Sequence, residues 1–184
     1  MITLRRAHIT DATQLASIML LAMEDIIYYF IGKRDYQEAV AFLQYWIEQP
    51  CNQYSYENIL VAEEKGEILG QICLYPGEDL DKLRSPILQQ LKEKYGQDFL
   101  LEAETQAGEI YIDTIAVSTN AQGKGIGKKL LHYAIDEYVY KRKQTLGLLV
   151  DKDNPDAKKL YLKVGFKAVN ECHIFQKDME HLQF

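Results

Sequence analysis

Cysteine, proline and clustered positive charge are scarce in this chain of 184 residues, and each scarcity excludes something. The three cysteines, Cys51, Cys73 and Cys172, stand far apart with no C-x-x-C pair. Such spacing offers neither a zinc site nor a disulfide framework, so buried thiols in a reducing compartment are expected. With four prolines and no low-complexity linker, nothing marks a second domain, and 47% hydrophobic residues suffice for one core. Lysine and arginine number 21 against 27 acidic residues, a net charge of −6. Binding nucleic acid as a main task requires clustered cations, which this balance argues against. It instead tolerates a cationic ligand. No apolar run reads as long enough to span a membrane, and Arg5 and Arg6 are not followed by a signal-peptide core. A cytoplasmic protein with no membrane partner is the expectation. His8, His132, His173 and His181 are scattered without ligand spacing, so no metal is expected.

Along the chain, Ile2 to Ala7 suits an edge strand, and Asp11 suits the cap of a helix carrying Leu15, Ile18, Met19 and Ala22 at helical spacing. Asp35 and Glu38 have the spacing of a capping box before the apolar stripe Ala39, Phe42, Leu43, Trp46 and Ile47, which Pro50 ends. Strands over 58–63 and 67–74 flank Lys65-Gly66, a hairpin signal, and Pro76-Gly77 breaks the second. Ser85 before Pro86 predicts a helix start, with Leu88 and Leu91 on one face and Gly96 as terminator. Further on come a strand over 109–117, a helix over 128–139, a strand over 145–150, a helix over 155–163 and two final strands between Phe166 and Lys177. This order, β-α-α-β-β-(α)-β-α-β-α-β-β, is a single-domain mixed α/β sheet over 1–184, with a helical insertion at about 76–108.

Chemistry concentrates in the second half. Gln122-Gly123-Lys124-Gly125-Ile126-Gly127 lies between the strand Glu109 to Val117 and a helical pattern. A helix begins with unpartnered amides and partial positive charge, and glycines let a diphosphate approach them. A Rossmann turn needs G-x-G-x-x-G, whereas these glycines run G-x-G-x-G; a P-loop needs Ser or Thr where Lys129 stands. Taken alone, such a stretch is more often an ordinary loop before a helix. A second stretch, Asn154 to Phe166, changes that weighing.

The ordered pair resembles the GCN5-related N-acetyltransferase (GNAT) family. The family's acyl-CoA loop, (Gln/Arg)-x-x-Gly-x-(Gly/Ala), is matched by Gln122, Gly125 and Gly127. Its later Asn-x-x-Ala-x-x-x-Tyr-x-x-x-Gly-Phe is matched by Asn154, Ala157, Tyr161, Gly165 and Phe166. The resemblance is firm from about Glu109 to Phe175 and looser near the N-terminus, while the stretch from Tyr75 to Gly108 departs from the family's short linker. It implies a mostly antiparallel sheet of about seven strands flanked by helices, acetyl-CoA as cosubstrate and transfer of acetyl to a primary amine in a ternary complex. It also implies that Ile115, Ala116 and Val117 pair with the pantetheine arm, with the Val117 amide polarising the thioester carbonyl. Gln122, Gly123, Lys124, Gly125, Ile126, Gly127 and Lys128 would take the pyrophosphate through their amides. Asn154 would lie near the pantetheine, equally as a helix cap before Pro155. Tyr161 would protonate the departing thiolate, unless it is a core tyrosine packed on the coenzyme arm. Relatives often pair, so a homodimer is open.

The base is read from the strand itself. Strict alternation puts 109, 111, 113, 115 and 117 on one face, so Glu109 and Asp113 are the candidates to collect the amine proton through water. A carboxylate buried there would have a raised pKa suited to a base near neutrality. Either residue could instead orient the acceptor or close a structural hydrogen bond, and Tyr111 stands where the family often has its acid. That departure keeps a second reading open, a CoA-binding sensor without turnover. The acceptor would be read by Met23 to Gly32, with Glu24, Asp25, Tyr28, Tyr29 and Phe30, and by the insertion; one buried and one solvated helix face is the plainer reading of that mixture.

Overall fold

Residues 1–184 are described by a computed structural model. Its strands are β1 (Thr3–Arg6), β2 (Ile59–Glu64), β3 (Glu67–Pro76), β4 (Glu109–Val117), β5 (Thr145–Asp151), β6 (Lys167–Ile174) and β7 (Lys177–Gln183). The helices are α1 (Ala12–Ile31), α2 (Tyr36–Glu48), α3 (Leu80–Tyr95), α4 (Ile126–Ala134) and α5 (Pro155–Val164). All the strands join one seven-stranded sheet in the order β1-β2-β3-β4-β5-β7-β6. Every neighbouring pair is antiparallel except β4 and β5. Apolar residues of α1, α2 and α3 cover one face of the sheet, and those of α4 and α5 pack on the other.

Two irregularities in β4 decide where a site can form. Cys73 pairs with Thr114, but Leu74 pairs with Ile112, leaving Asp113 as the surplus residue of a β-bulge. The bulge overturns the single-face expectation for 109 to 117. Tyr111 packs with Tyr75 away from α4, whereas Ile115 and Val117 pack on the α4 side. Parallel pairing of β4 with β5 also ends at Ile112 and Leu148, although both strands run on, to Val117 and Asp151. Beyond that point they diverge as a wedge.

Several local expectations are corrected. Asp11 does not cap α1 with its side chain; Arg5 donates two bonds to its carboxylate, at 2.7 and 3.1 Å, and His8 N a third. Asp35 does cap α2, but Glu38 accepts from Tyr95 Oη and Lys94 Nζ rather than closing the box. Helix α3 starts at Leu80 and carries Pro86 inside it, because the buried stripe Leu80, Arg84, Ile87 and Leu91 outweighs one lost helical bond. Helix α4 begins at Ile126 and continues as a π-helix over Ile135–Lys141. The last hairpin runs to Gln183, turning at Phe175 and Gln176 with φ of 52° and 60°. Cys51 is exposed and Cys172 partly so; only Cys73 is buried. Residues Ile9–Ile31 are, by length and composition, long and apolar enough to cross a membrane, contrary to the sequence reading. In this fold half of that stretch is buried, with Leu15, Met19 and Ile27 in the core.

Candidate active site

The wedge between β4 and β5 is the mouth of a cleft of about 510 Å³. Thr114 to Val117 form one wall, Leu149 to Asp151 the other, and Asn154, Ala157 and Tyr161 of α5 close one end. Backbone polar groups need partners, and a strand edge opened in this way can take up an extended ligand as an added strand. Ile115, Ala116 and Val117 lie on this stretch of β4 and line the cleft.

At the far end of β4 the glycine turn enters α4. Gly123 and Gly125 have φ of 77° and 75°, and Gly125 is the N-cap of α4 with no side-chain cap bond. The first-turn amides therefore face outward without a side-chain acceptor, a geometry suited to an anion. A second cavity, of about 400 Å³, lies against this turn and is lined by Gln122, Gly123, Gly125, Ile126, Gly127 and Lys128. Lys124 lines a separate hollow with Glu64 and Glu67. The Ile126 side chain is buried in the core, leaving only its backbone for a ligand. Asn154 caps α5 by accepting from Ala157 N at 3.2 Å, as its cap reading expects, and it also lines the cleft.

Tyr161 lines the cleft and is 8% exposed, its ring edge-on to Phe166. Burial alone pushes its phenol up to about 12, which keeps it a proton donor across the ordinary range.

The two candidate bases separate. Glu109 is buried outside the cleft lining. Its carboxylate accepts from Thr105 Oγ1 (2.5 Å) and Gln183 Nε2 (2.7 Å) and lies 2.9 Å from His181 Nε2. Burial works against its charge, but His181, Thr105 and Gln183 outweigh burial and hold it below the usual carboxylate range. The raised value expected of a base in the groove is reversed here, and the geometry is that of a structural clamp. Asp113, projected by the bulge, lines the cleft and accepts from Tyr75 Oη at 2.6 Å and Gln53 Nε2 at 3.0 Å. Burial pushes its carboxyl upward despite both donors.

Other groups at this end escaped the sequence reading. Glu104 and Tyr54 line the cleft with Asp113, and Arg84 reaches from α3 to the Glu102 carbonyl (2.9 Å). Met23 has non-helical angles inside α1, and this kink brings Glu24 and Asp25 to the rim. The segment from Met23 is thus the second half of α1, beyond its kink. Glu24 accepts from Tyr28 Oη at 2.7 Å, and Asp25 pairs with Arg34 at 3.3 Å. Tyr28 and Phe30 are buried and Tyr29 is partly exposed, so the stretch joins a packed face to a cleft-lining one.

The Acetyltransferase (GNAT) family model matches residues 22–166. No curated protein sequence matches the chain. Among solved structures, an acetyltransferase is 33% identical over 98% of this chain and 97% of its own, with a TM-score of 0.79. An N-acetyltransferase from Staphylococcus aureus Mu50, 23% identical over 99% of this chain and 100% of its own, has a TM-score of 0.85. The PaiA N-acetyltransferase of Thermoplasma acidophilum, solved with coenzyme A, is 16% identical over 100% and 99% of the two chains, with a TM-score of 0.60. These last two share the fold. With its glycine turn, its split sheet and the matched family model, the chain belongs to the GNAT acetyltransferase family.

Proposed function

We propose that this protein transfers acetyl from acetyl-CoA to a primary amine by direct attack within a ternary complex. The supporting observation is that Asp113 and Tyr161, carried by β4 and α5, line one cleft along the stretch of β4 that has no partner on its β5 side. The coenzyme's pantetheine would pair with Ile115 to Val117, and its diphosphate would rest on the first turn of α4. An amine entering from the α1 side gives up a proton toward Asp113, and its nitrogen attacks the thioester carbon. The Val117 amide stabilises the oxyanion, and Tyr161 protonates the sulfur as the C–S bond breaks. Asp113 and Tyr161 supply a proton acceptor and a proton donor in the same cleft.

The departure at Tyr111, which left a silent sensor open, loses weight because Asp113 brings a carboxylate to the same cleft. Release of free thiol from acetyl-CoA over a panel of primary amines tests the proposal. Thiol release that depends on the amine supports it. Coenzyme binding without turnover on any amine would turn the reading to the sensor.

A further inference from the structure

The stretch between β3 and β4 departs from the family pattern, and the structure shows what it delivers. Glu104 is held into the cleft by anchors on both sides of it. Arg84 Nη1 donates to the Glu102 carbonyl, and Thr105 Oγ1 donates to Glu109. The Glu104 side chain is only 8% exposed and lines the same cleft as Asp113. Its carboxylate has no tight partner: Tyr111 Oη lies 3.4 Å away and the Arg84 guanidinium 3.8 Å. The other cleft acids are otherwise engaged, Asp151 by Lys177 at 2.7 Å, Glu24 by Tyr28 and Asp25 by Arg34.

Resting on the N-acetyltransferase reading, we infer that Glu104 and Asp113 act as one proton-accepting unit, so that the insertion supplies a residue of the reaction and selects a cationic primary amine. Two carboxylates in one poorly hydrated place do not both ionise readily, because each charge raises the cost of the other. Burial pushes Glu104 upward and the Asp113 charge adds to that push, while Arg84 opposes it. The groups facing the pair are Tyr54 from the loop between α2 and β2, Cys73 and Tyr75 of β3, Tyr111 of β4, Arg84 of α3 and Cys172 of β6. Arg84 is the cation among them, so a second ionisation leaves the place net negative and ready for an ammonium.

The step balances as follows. The arriving ammonium loses one proton to the pair, breaking N–H and forming O–H. Its freed electron pair forms the C–N bond as C–S breaks and the sulfur keeps its pair. The second nitrogen proton replaces the one Tyr161 gives to sulfur, and the proton on the pair leaves to water. One amide, one thiol and one proton result.

The test uses the full chain with acetyl-CoA and the primary amine that gives most thiol in the panel. Glu104→Gln is expected to lower kcat/KM for the amine about 100-fold near neutrality and to displace its acidic limb, with coenzyme affinity by calorimetry unchanged. Glu104→Asp should restore part of the rate, and Glu104→Gln with Asp113→Asn should lose no more than the worse single variant. A superimposable pH profile in Glu104→Gln, or losses that multiply in the double variant, would overturn the inference while the N-acetyltransferase reading stands. Carboxyl NMR of the unaltered protein gives a check free of folding effects: one of the two groups should stay protonated at neutrality, and ionisation of both by pH 5 would overturn it. An unaltered protein that releases no thiol with any amine removes the parent reading as well.

Discussion

The Glu109 carboxylate fills the space that a Cβ on Gly147 would need. β4 and β5 are neighbours at this level, and the missing side chain of one makes room for the buried charge of the other. Gly147→Ala is therefore expected to push Glu109 off Gln183 and His181 and to destabilise the fold by about 3–5 kcal/mol, as breaking a buried charged contact does. Thermal unfolding checks it, at roughly 2–4 °C per kcal/mol for a chain of this size.

Glu109→Gln separates the clamp from a base. A carboxyl held below its unfolded pKa adds stability that is present above the unfolded value and is lost as pH falls through the folded one. The variant should thus be least stable relative to the unaltered protein near neutrality and approach it in acid. Its kcat per folded molecule should keep the unaltered acidic limb; a displaced limb would return Glu109 to the reaction.

Glu104→Gln carries the opposite sign. Burial and Asp113 raise the Glu104 pKa above its unfolded value, so the folded chain holds the extra proton between the two values and loses stability as pH rises through that window. Relative to the unaltered protein, the Gln variant should gain about 1 kcal/mol or more between pH 5 and pH 9, read by denaturant titration at each pH. A constant difference across that range would remove the raised ionisation.

Tyr161→Phe keeps the ring on Phe166 and removes only the hydroxyl, the proposed acid. A fall of about tenfold to a thousandfold in kcat, with KM for acetyl-CoA little changed, is expected in steady-state assays. Retention of most turnover would make the tyrosine a packing residue.

At the proposed diphosphate seat, Gly125 sits at φ 75° with open space where a Cβ would project. Gly125→Ala should cost the fold only about 1–2 kcal/mol for the left-handed backbone. The added methyl would project into the open space over the α4 amides and weaken acetyl-CoA binding about tenfold by calorimetry, about 1.4 kcal/mol. KM for the amine should stay near its unaltered value.

What could be read from the sequence was local. The Lys65-Gly66 hairpin, the Asp35 cap and the glycine turn carry their geometry in their own side chains, with φ of 54° and 81° in that hairpin. The expected coenzyme seat is local in the same way, since it is built from amides at a strand end and a helix start. Other features depend on distant partners. Nothing in Phe175-Gln176 announces a left-handed turn, yet Phe175 packs edge-on to Phe30 and fixes it there. The charged Arg84 hid the buried stripe of α3. Glu104 lies in a stretch with no periodicity, and only the anchors at Glu102 and Thr105 aim it. The surplus residue in β4 is invisible until β3 is laid beside it.

That surplus residue puts the two halves of β4 half a repeat out of phase. Tyr111 and Asp113 turn to the α1 side, where the proposed acceptor would enter, while Ile115 and Val117 turn to the α4 face, where the coenzyme would lie in the proposed reaction. Selection can therefore recut the acceptor's surroundings, even by lengthening the loop before β4, without retuning the grip on the acyl donor.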